Sequence, residues 1–298
     1  MKNLINYLYK IEITDIIKED NYYLIKEMEN TYLFSEINNM GNFMYIYNIC
    51  NILNQSMFFS YKVKTNIYND FVTEIEGKRY YLLYLNNDYK CEVDFLDMLN
   101  FYDKSSNFLK NNFKYQLNWD VLWESKIDYL TKHIENNKIS NKRLLILLYY
   151  YLGVSENALL YIKEIKSNYT FSINDKVSFT HRRVVLPCEK IFFYNPQNFI
   201  IDLEVRDIAE YIKSLYYNDL DYLNDLEYYL KVSNLTKYSA SLLYVRIVYP
   251  SLFFDYYESK SDIFYFEKFY NIGEYESFIK KTYELINSYV NIEKISWL

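Results

Sequence analysis

Apolar and polar residues follow different patterns in the two parts of the chain. In the first part, short apolar runs predict four strands, at residues 7–13, 22–28, 71–75 and 80–85. One longer segment, residues 35–54, predicts a helix. Beyond the polar cluster Asn86-Asn87-Asp88, apolar residues recur at helical spacing. The chain is therefore predicted to be α+β, with a small strand-rich lobe at residues 1–85 and a larger helical lobe at residues 86–298.

Helices dominate the pattern of the second lobe. Two are predicted around residues 95–102 and 119–130. Residues 141–152 are apolar on almost every face, which predicts a buried central helix, and Gly153 follows in the position of a C′ residue that ends it. After residue 202 the pattern predicts further helices at 205–216, 220–230, 236–249, 263–270 and 275–292.

One segment of the second lobe interrupts these helices. Residues 190–194 and 199–202 are apolar runs on either side of Asn195-Pro196-Gln197-Asn198, which predicts a hairpin that ends at Asp202. The triplet His181-Arg182-Arg183 precedes this hairpin in a predicted loop. Such a triplet has no chemical meaning alone, and its position before a strand that ends in an aspartate makes it a candidate site.

The composition is biased in a way that has a simple explanation. The chain contains 38 tyrosines and 20 phenylalanines but 4 glycines and 3 prolines, which suggests a tyrosine-rich structural or cross-linked protein. It also has few alanines and an excess of Asn, Lys and Ile, as an AT-rich genome imposes on any protein. We therefore attribute the tyrosines to codon bias rather than to a selected function.

Charge and cysteine content argue against several classes of protein. A net charge of -6 with 24% charged residues gives no electrostatic reason to expect nucleic acid binding. Cys50, Cys91 and Cys188 lie far apart without CxxC spacing, which favours a reducing compartment over a disulfide framework or a zinc site. The N-terminus does not resemble a secretion signal, and no apolar run approaches the ~18 residues of a membrane span.

The residues from His181 to Asp202 resemble the catalytic loop and metal aspartate of aminoglycoside-type kinases. In that pattern an aspartate two residues after a histidine accepts the substrate proton, an asparagine five residues further on binds magnesium, and a second aspartate ends a later strand and binds the metal. Here Arg183 holds the base position and Cys188 the asparagine position, while Asp202 keeps its residue type. A guanidinium stays protonated and cannot act as a general base, and loss of a general base removes a factor of about 10² to 10⁴ in rate.

Together with segments elsewhere, these residues resemble the spore coat protein S family, a Firmicute branch of the aminoglycoside and choline kinase-like fold. The resemblance places Lys26 on the strand that carries the nucleotide-contacting lysine, and Glu36 on the helix that supplies the partner of that lysine. Residues 80–85 resemble the strand that leads into the interlobe hinge, and residues 242–254 resemble a Leu-rich, Pro-ended helix near the family's C-terminus.

The chain departs from the family pattern at two places. No glycine-rich loop precedes Lys26, and the segment from Asp202 to Asp207-Ile208-Ala209 is shorter than the family's usual spacing to its Asp-Leu-Ala motif. These departures affect the binding of nucleotide as well as catalysis, because glycines allow backbone amides to approach phosphates.

The resemblance implies a bilobal protein kinase-like fold whose active site is degenerate. The implied vestigial nucleotide site is Lys26 and Glu36, the vestigial metal position is Asp202, and the degenerate catalytic positions are His181, Arg183 and Cys188. On this interpretation the protein is a pseudokinase that needs no cofactor. It is expected to bind other proteins of the spore coat, in the mother-cell cytoplasm and the coat, and neither nucleic acid nor membrane.

Two alternatives remain open. One is an active small-molecule phosphotransferase of the aminoglycoside or choline kinase type, which binds Mg-ATP through Lys26 and Asp202 and has His181 as its neutral candidate base. The other is a globular protein whose likeness to kinases is accidental. Stabilisation by Mg-ATP would favour the enzyme, because a ligand that binds the native state stabilises it by mass action.

A last expectation concerns the charge of Asp202 in a protein that binds no metal. A poorly solvated carboxylate is tolerated only when it is paired. We expect Arg183, or failing that Arg182, to donate to Asp202 or Glu204, so that an internal cation takes the region of the metal. The opposite expectation is that both arginines point to solvent.

Overall fold

The computed structural model describes residues 1–19, 22–28, 30–56, 60–85, 92–109, 115–137, 139–182, 188–259 and 266–296. They form an antiparallel N-terminal sheet and a helical C-terminal part, so the predicted α+β class is confirmed. The chain divides into two compact units: Met1–Ser105, His181–Arg183 and Pro187–Ile200 form the first, and Ser106–Thr180, Val184–Leu186 and Ile201–Leu298 form the second. The predicted hinge at residues 86–88 lies outside the described residues.

Six of the eight described strands lie before residue 86, and the other two lie between residues 177 and 203. The strands are β1 (Asp15–Lys18), β2 (Tyr23–Glu27), β3 (Asn30–Glu36), β4 (Tyr61–Lys64), β5 (Thr73–Ile75), β6 (Lys78–Leu85), β7 (Val177–His181) and β8 (Phe199–Leu203). The helices are α1 (Lys2–Tyr9), α2 (Met40–Ser56), α3 (Phe95–Leu109), α4 (Trp119–Asn136), α5 (Lys142–Asn168), α6 (Lys190–Phe193), α7 (Val205–Tyr217), α8 (Leu223–Ser233), α9 (Lys237–Val248), α10 (Ser251–Ser259), α11 (Phe266–Phe269) and α12 (Ile272–Tyr289). A 3-10 turn spans Pro196–Asn198.

The first unit is built on an antiparallel sheet with the strand order β1-β2-β3-β6-β4, and β5 pairs with β6. Side chains alternate between its two faces because successive residues of a strand point to opposite sides. Helix α1 covers one face, where Tyr9 contacts Phe34 with 6.3 Å between ring centroids. Helix α2 covers the other face, where Phe43 lies 5.2 Å from Tyr81. The sheet is therefore buried on both sides along β3 and β6.

Two predictions for the first unit were wrong. Residues 7–13 were expected to be a strand, but α1 ends at Tyr9, because Ile5, Leu8 and Tyr9 form an apolar stripe at helical spacing. The predicted helix at residues 35–54 begins only at Met40, since β3 continues to Glu36. Short apolar runs do not distinguish a strand from a turn of helix, and contacts with the sheet decide between them.

The second unit is organised around two apolar helices, α5 and α9. Nearly every side chain of α9 is buried, and Leu148, Tyr151 and Ile162 on α5 are buried as well. Helix α5 does not end at Gly153 as predicted but continues for 15 more residues to Asn168. By length and composition α5 is the one described helix that could cross a membrane. Half of the most apolar stretch of α5 is buried inside the protein, which agrees with the position of α5 in the core.

A buried cluster of charges joins α7 to α9 in the second unit. The carboxylate of Glu210 accepts from Arg246 Nε at 2.7 Å and from Lys213 Nζ at 3.0 Å. Lys213, which is 1% exposed, also donates to the carbonyl of Tyr249 and to Ser251 Oγ. Burial acts to raise the pKa of Glu210, but the two cations outweigh it and lower that pKa to about 2. Burial lowers the pKa of Lys213 to about 8, because Arg246 adds to desolvation and Glu210 offsets only part of it.

Gly153 offers a test of the observed course of α5. Its missing side chain leaves open space, and its backbone does not have the left-handed conformation of a C′ residue. Gly153→Ala should therefore raise the free energy of unfolding by about 0.5 to 1 kcal/mol, because alanine loses less backbone entropy in a helix. Gly77→Ala is the matched control: it also meets open space, but its φ of 75° should make it destabilising by about 1 kcal/mol. Urea denaturation measures both, and a loss of stability in Gly153→Ala would contradict a continuous helix.

The Glu210 cluster predicts a defined dependence of stability on pH. Because the folded pKa of Glu210 is lowered, its contribution is complete above pH 4.5 and is lost as the pH falls toward about 2. Glu210→Gln should lower the free energy of unfolding by about 3 kcal/mol at pH 7, since it leaves buried cations without their anion. The difference between the two proteins should shrink below pH 4.5.

Urea denaturation at pH 7 and at pH values below 4.5 measures the predicted loss of stability in Glu210→Gln. Glu124→Gln is the control, because Glu124 pairs with Lys163 at 2.9 Å on the surface and its loss should cost less than about 0.5 kcal/mol. A Glu210→Gln protein as stable as the control at pH 7 would show that the buried cluster does not hold α7 to α9.

Candidate functional site

The first candidate region is the strand β3 and the helix α2 that follows it. In protein kinases a lysine on the strand before this helix forms an ion pair with a glutamate on the helix, and the lysine contacts nucleotide phosphates. Here β3 reads Asn-Thr-Tyr-Leu-Phe-Ser-Glu and contains no lysine. Helix α2 has 17 residues and not one charged side chain. The elements that carry the kinase ion pair therefore lack both of its members.

Glu36 does not occupy the predicted helix position. It is the last residue of β3, and its carboxylate pairs with Lys78 on the neighbouring strand β6 at 3.0 Å. Lys26 is opposite Thr31 in the register of β2 and β3, five residues before Glu36 along β3. Five residues of strand span roughly 17 Å, so Lys26 and Glu36 cannot form an ion pair. The prediction that Glu36 is the helix partner of Lys26 is wrong.

Lys26 lies on β2, one strand away from the position that the resemblance implied. Its side chain is exposed, and within the described ranges its ammonium forms no ion pair. Because residues opposite each other in a sheet point to the same side, Lys26 shares the face of Thr31, on which Ser35 and Tyr81 also lie. That face is the one covered by α2.

His181 is a buried residue whose ring packs against other aromatic rings. It is 2% exposed at the end of β7, and its ring contacts those of Phe101, Phe193 and Phe199. Its Nε2 lies 2.7 Å from the carbonyl oxygen of Phe193. A carbonyl only accepts, so Nε2 carries the hydrogen and donates. This nitrogen is occupied by the backbone and is not available to accept a proton from a substrate.

The segment between β7 and β8 is not the predicted hairpin. Residues 190–194 were expected to be a strand, but Lys190–Phe193 form the short helix α6, and the partner of β8 is β7. Three contacts fasten this segment within the first unit: Gln197 Nε2 donates to Ser35 Oγ at 2.6 Å, Tyr61 OH donates to the carbonyl of Ile191 at 2.9 Å, and Lys190 pairs with Asp97 at 2.8 Å. A helical turn forms because the aromatic residues there pack on α3 rather than in a sheet.

Of the two catalytic positions that changed residue type, only Cys188 belongs to the described residues. Arg183 lies outside the described residues. Cys188 is a free, half-buried thiol, and burial together with Glu92 and Glu189 raises its pKa to about 12. Magnesium binds oxygen ligands, and a protonated thiol is a poor substitute for an asparagine carbonyl.

Asp202 lies at the end of β8 in the second unit, and its side chain is 7% exposed. One carboxylate oxygen, Oδ1, accepts from Tyr115 OH at 2.5 Å and from the backbone N–H of Leu203 at 2.8 Å. The other, Oδ2, accepts from Trp119 Nε1 at 2.8 Å and from Arg206 Nη1 at 2.9 Å. The carboxylate is thus surrounded by donors from α7, from the start of α4 and from the segment before α4.

Arg206 pairs with Asp202, a role that was expected of Arg183 or Arg182, and Arg183 itself lies outside the described residues. Arg206 lies in the first turn of α7, where the helix dipole disfavours a cation, so the pairing with Asp202 is needed to hold it there. Its side chain is 13% exposed. Burial acts to lower the pKa of Arg206, but the charges of Asp202 and Asp207 outweigh it and raise that pKa. The guanidinium is permanently charged.

The magnesium ion that the kinase fold implies does not fit these residues. An ionised carboxylate has about four acceptor sites, and the donors around Asp202 take them. Indole and guanidinium N–H groups cannot ligate a metal. Across the parts of the chain that the structure describes, no group of three His, Cys, Asp or Glu residues could hold a metal ion.

The spacing of charged residues on α7 is a sequence signal for this arrangement. Arg206, Glu210 and Lys213 lie at spacings of four and three residues on α7, which places them on one helix face among apolar neighbours. Charged residues on the buried face of a helix need buried partners. Trp119 and Tyr115 gave no comparable signal, because tyrosine and tryptophan are also common as simple core residues.

Comparison with solved structures shows a kinase-like fold. The aminoglycoside phosphotransferase of Alicyclobacillus acidocaldarius subsp. acidocaldarius is 12% identical, covers 97% of each chain and has a TM-score of 0.60. The spectinomycin phosphotransferase APH(9)-Ia, solved with ADP and spectinomycin, is 9% identical over 97% of each chain, with a TM-score of 0.55. At these identities the likeness concerns the fold alone, and it confirms the predicted kinase-like architecture.

Comparison of sequences identifies the family. The endospore coat-associated protein YutH of Bacillus subtilis (strain 168) is 26% identical over 206 residues, which are 60% of this chain and 61% of that protein's length. The matched region thus spans less than two thirds of the relative. Residues 2–290 match the family described as "Spore coat putative kinase YutH". A spore coat family with a kinase-like fold is confirmed, although the coat protein S family is not the one that matches. The chain belongs to the YutH family of spore coat kinase-like proteins.

Proposed function

We propose that this protein is a pseudokinase of the spore coat, which does not transfer phosphoryl groups and acts through contacts with other proteins. The observation that carries the proposal is the residue content of β3 and α2. A kinase needs a lysine on the strand and a glutamate on the helix, and here the strand has no lysine and the helix has no charge. Neither member can be supplied by a change of side-chain conformation.

The loop between β1 and β2 supports the same conclusion about nucleotide. In protein kinases a glycine-rich loop covers the phosphates. In this chain the connection reads Glu19-Asp20-Asn21-Tyr22, with two acidic residues and no glycine. Acidic side chains repel phosphate oxygens, and side chains in place of glycine keep backbone amides away from them. The changes at Arg183 and Cys188 then remove the base and a metal ligand.

The proposed role in the coat rests on family membership and on the relative's name. The Bacillus subtilis relative is called endospore coat-associated, and we propose the same association for this chain. Its partners would be other coat proteins, with synthesis in the mother-cell cytoplasm. The fold without its chemistry still presents a large folded surface, which is what an assembly protein requires.

A second candidate function is an active small-molecule phosphotransferase. One observation favours it: Lys26 is exposed, forms no ion pair with a described residue and faces the same side of the sheet as β3 residues such as Thr31. A lysine reaching the phosphates from β2 would replace the one missing from β3. Asp202 would then have to exchange its present donors for a metal ion.

We expect Mg-ATP to leave the melting temperature unchanged and the protein to show no phosphoryl transfer to aminoglycosides or choline. The physical reason is the absence of the lysine, the glutamate and the general base. Thermal shift and a coupled ADP assay measure the two properties, with Lys26→Ala as the matched variant. Magnesium-dependent turnover that disappears in Lys26→Ala would establish the second candidate function instead.

The proposed role in the coat also predicts where the protein is found in a sporulating cell. A fluorescent fusion of the full chain should concentrate at the surface of the developing spore. Time-lapse microscopy of sporulating cells measures this, and Lys26→Ala should locate in the same way, since the proposed role does not use that residue. Fluorescence that stays uniform in the mother cell until its lysis would rule out the coat assignment.

A further inference from the structure

We infer that Arg206 permanently replaces the metal ion at Asp202, so that the metal position of the kinase fold is closed to divalent cations in this protein. The inference goes beyond the proposed function, because it concerns one carboxylate and holds whether or not nucleotide binds elsewhere.

The carboxylate of Asp202 has no acceptor site to spare for a metal ion. Each oxygen of Asp202 accepts two hydrogen bonds, from Tyr115 and Leu203 at Oδ1 and from Trp119 and Arg206 at Oδ2. A carboxylate offers about four such sites. A metal ion can bind Asp202 only if it displaces a donor, and each displaced donor would lose its hydrogen bond to this carboxylate in a poorly solvated site.

The groups around Asp202 are donors and do not suit a metal ion. A cation site presents oxygen atoms, and magnesium in particular takes oxygen ligands in octahedral geometry. The groups around Asp202 are an indole N–H, a guanidinium, an amide N–H and a phenol. Burial and the charge of Asp202 raise the pKa of Tyr115, so its hydroxyl remains a donor. These four donors suit an anion, and the carboxylate of Asp202 is the anion that they bind.

The positive charge of Arg206 also opposes the binding of a metal ion at Asp202. Asp202 and Arg206 are 7% and 13% exposed, and together they are neutral. A divalent cation brought to the same carboxylate would meet the guanidinium at close range in a poorly solvated site, where like charges repel strongly. Arg206 cannot lose its proton to relieve this repulsion.

The donors Trp119 and Tyr115 are held in place by their own neighbours. Trp119 is fully buried, and Arg246 lies over its ring at 5.2 Å. Arg246 is held in turn by Glu210 at 2.7 Å. The ring of Tyr115 contacts that of Phe171. Moving Trp119 away from Asp202 would therefore disturb a second buried ion pair, so the donors form a fixed cage.

Manganese, whose electron paramagnetic resonance signal is lost on binding, tests the closure directly and without nucleotide. Wild-type protein should leave the free manganese signal equal to that of buffer, and Asp202→Asn should behave identically. Manganese bound by the wild type and lost in Asp202→Asn would overturn the inference. Because the readout involves no ATP, this result is distinct from a failure of the proposed pseudokinase role.

A double-mutant cycle tests the part played by Arg206. Arg206→Met and Asp202→Asn should each lower the urea midpoint, and the double variant should lose clearly less than the sum, because neither charge is then left unpaired. The exposed pair Lys280 and Glu284, at 4.0 Å with the same i,i+4 spacing, is the matched control and should show additive, small shifts. Additive losses at Asp202 and Arg206 would overturn the pairing.

The coupling of Arg206 and Asp202 can be tested even if one single variant fails to fold. If Arg206→Met is unfolded while the double variant with Asp202→Asn folds, the coupling is established in its strongest form. If neither folds, the manganese measurement on the wild type and Asp202→Asn decides whether the position is closed.

Discussion

The buried carboxylate of Asp202 is the constraint on which the second unit of this protein depends. An ionised group out of reach of water must be matched by donors, and in a kinase a metal ion takes part in that role. Here Tyr115, Trp119, the Leu203 amide and Arg206 supply the match. These contacts tie the end of β8 to α7 and to the start of α4, so the carboxylate takes part in the packing of the unit.

The fold persists without its catalytic charges because packing, and not those charges, holds its elements together. Helix α2 lies on the sheet through apolar contacts such as Phe43 with Tyr81, and it needs no ion pair to stay there. His181 remains because its ring fills space between Phe101, Phe193 and Phe199. A kinase-like architecture and a kinase activity are therefore separable properties, and only the first follows from the comparisons.

Some parts of this structure followed from local patterns and others did not. The strand β8 and the helices α7, α8, α9 and α12 were predicted close to their observed bounds, because apolar spacing there is regular, whereas α10 was not among the predicted helices. Helix α1, helix α6 and the passage of α5 through Gly153 were not predicted. In each case the local pattern allowed two conformations, and burial against another element selected one.

The sequence by itself determined which residue types stand at the positions that the resemblance assigned to catalysis: Arg183 cannot accept a proton, Cys188 is a poor magnesium ligand, and no glycine-rich segment precedes Lys26. These conclusions depend on residue type alone. Only the tertiary structure decided that Lys26 and Glu36 are apart and that Arg206 pairs with Asp202. The partners of a buried charge are chosen by which elements the fold brings together, and Trp119 reaches Asp202 from 83 residues away. Spacing along the chain carries no record of that contact.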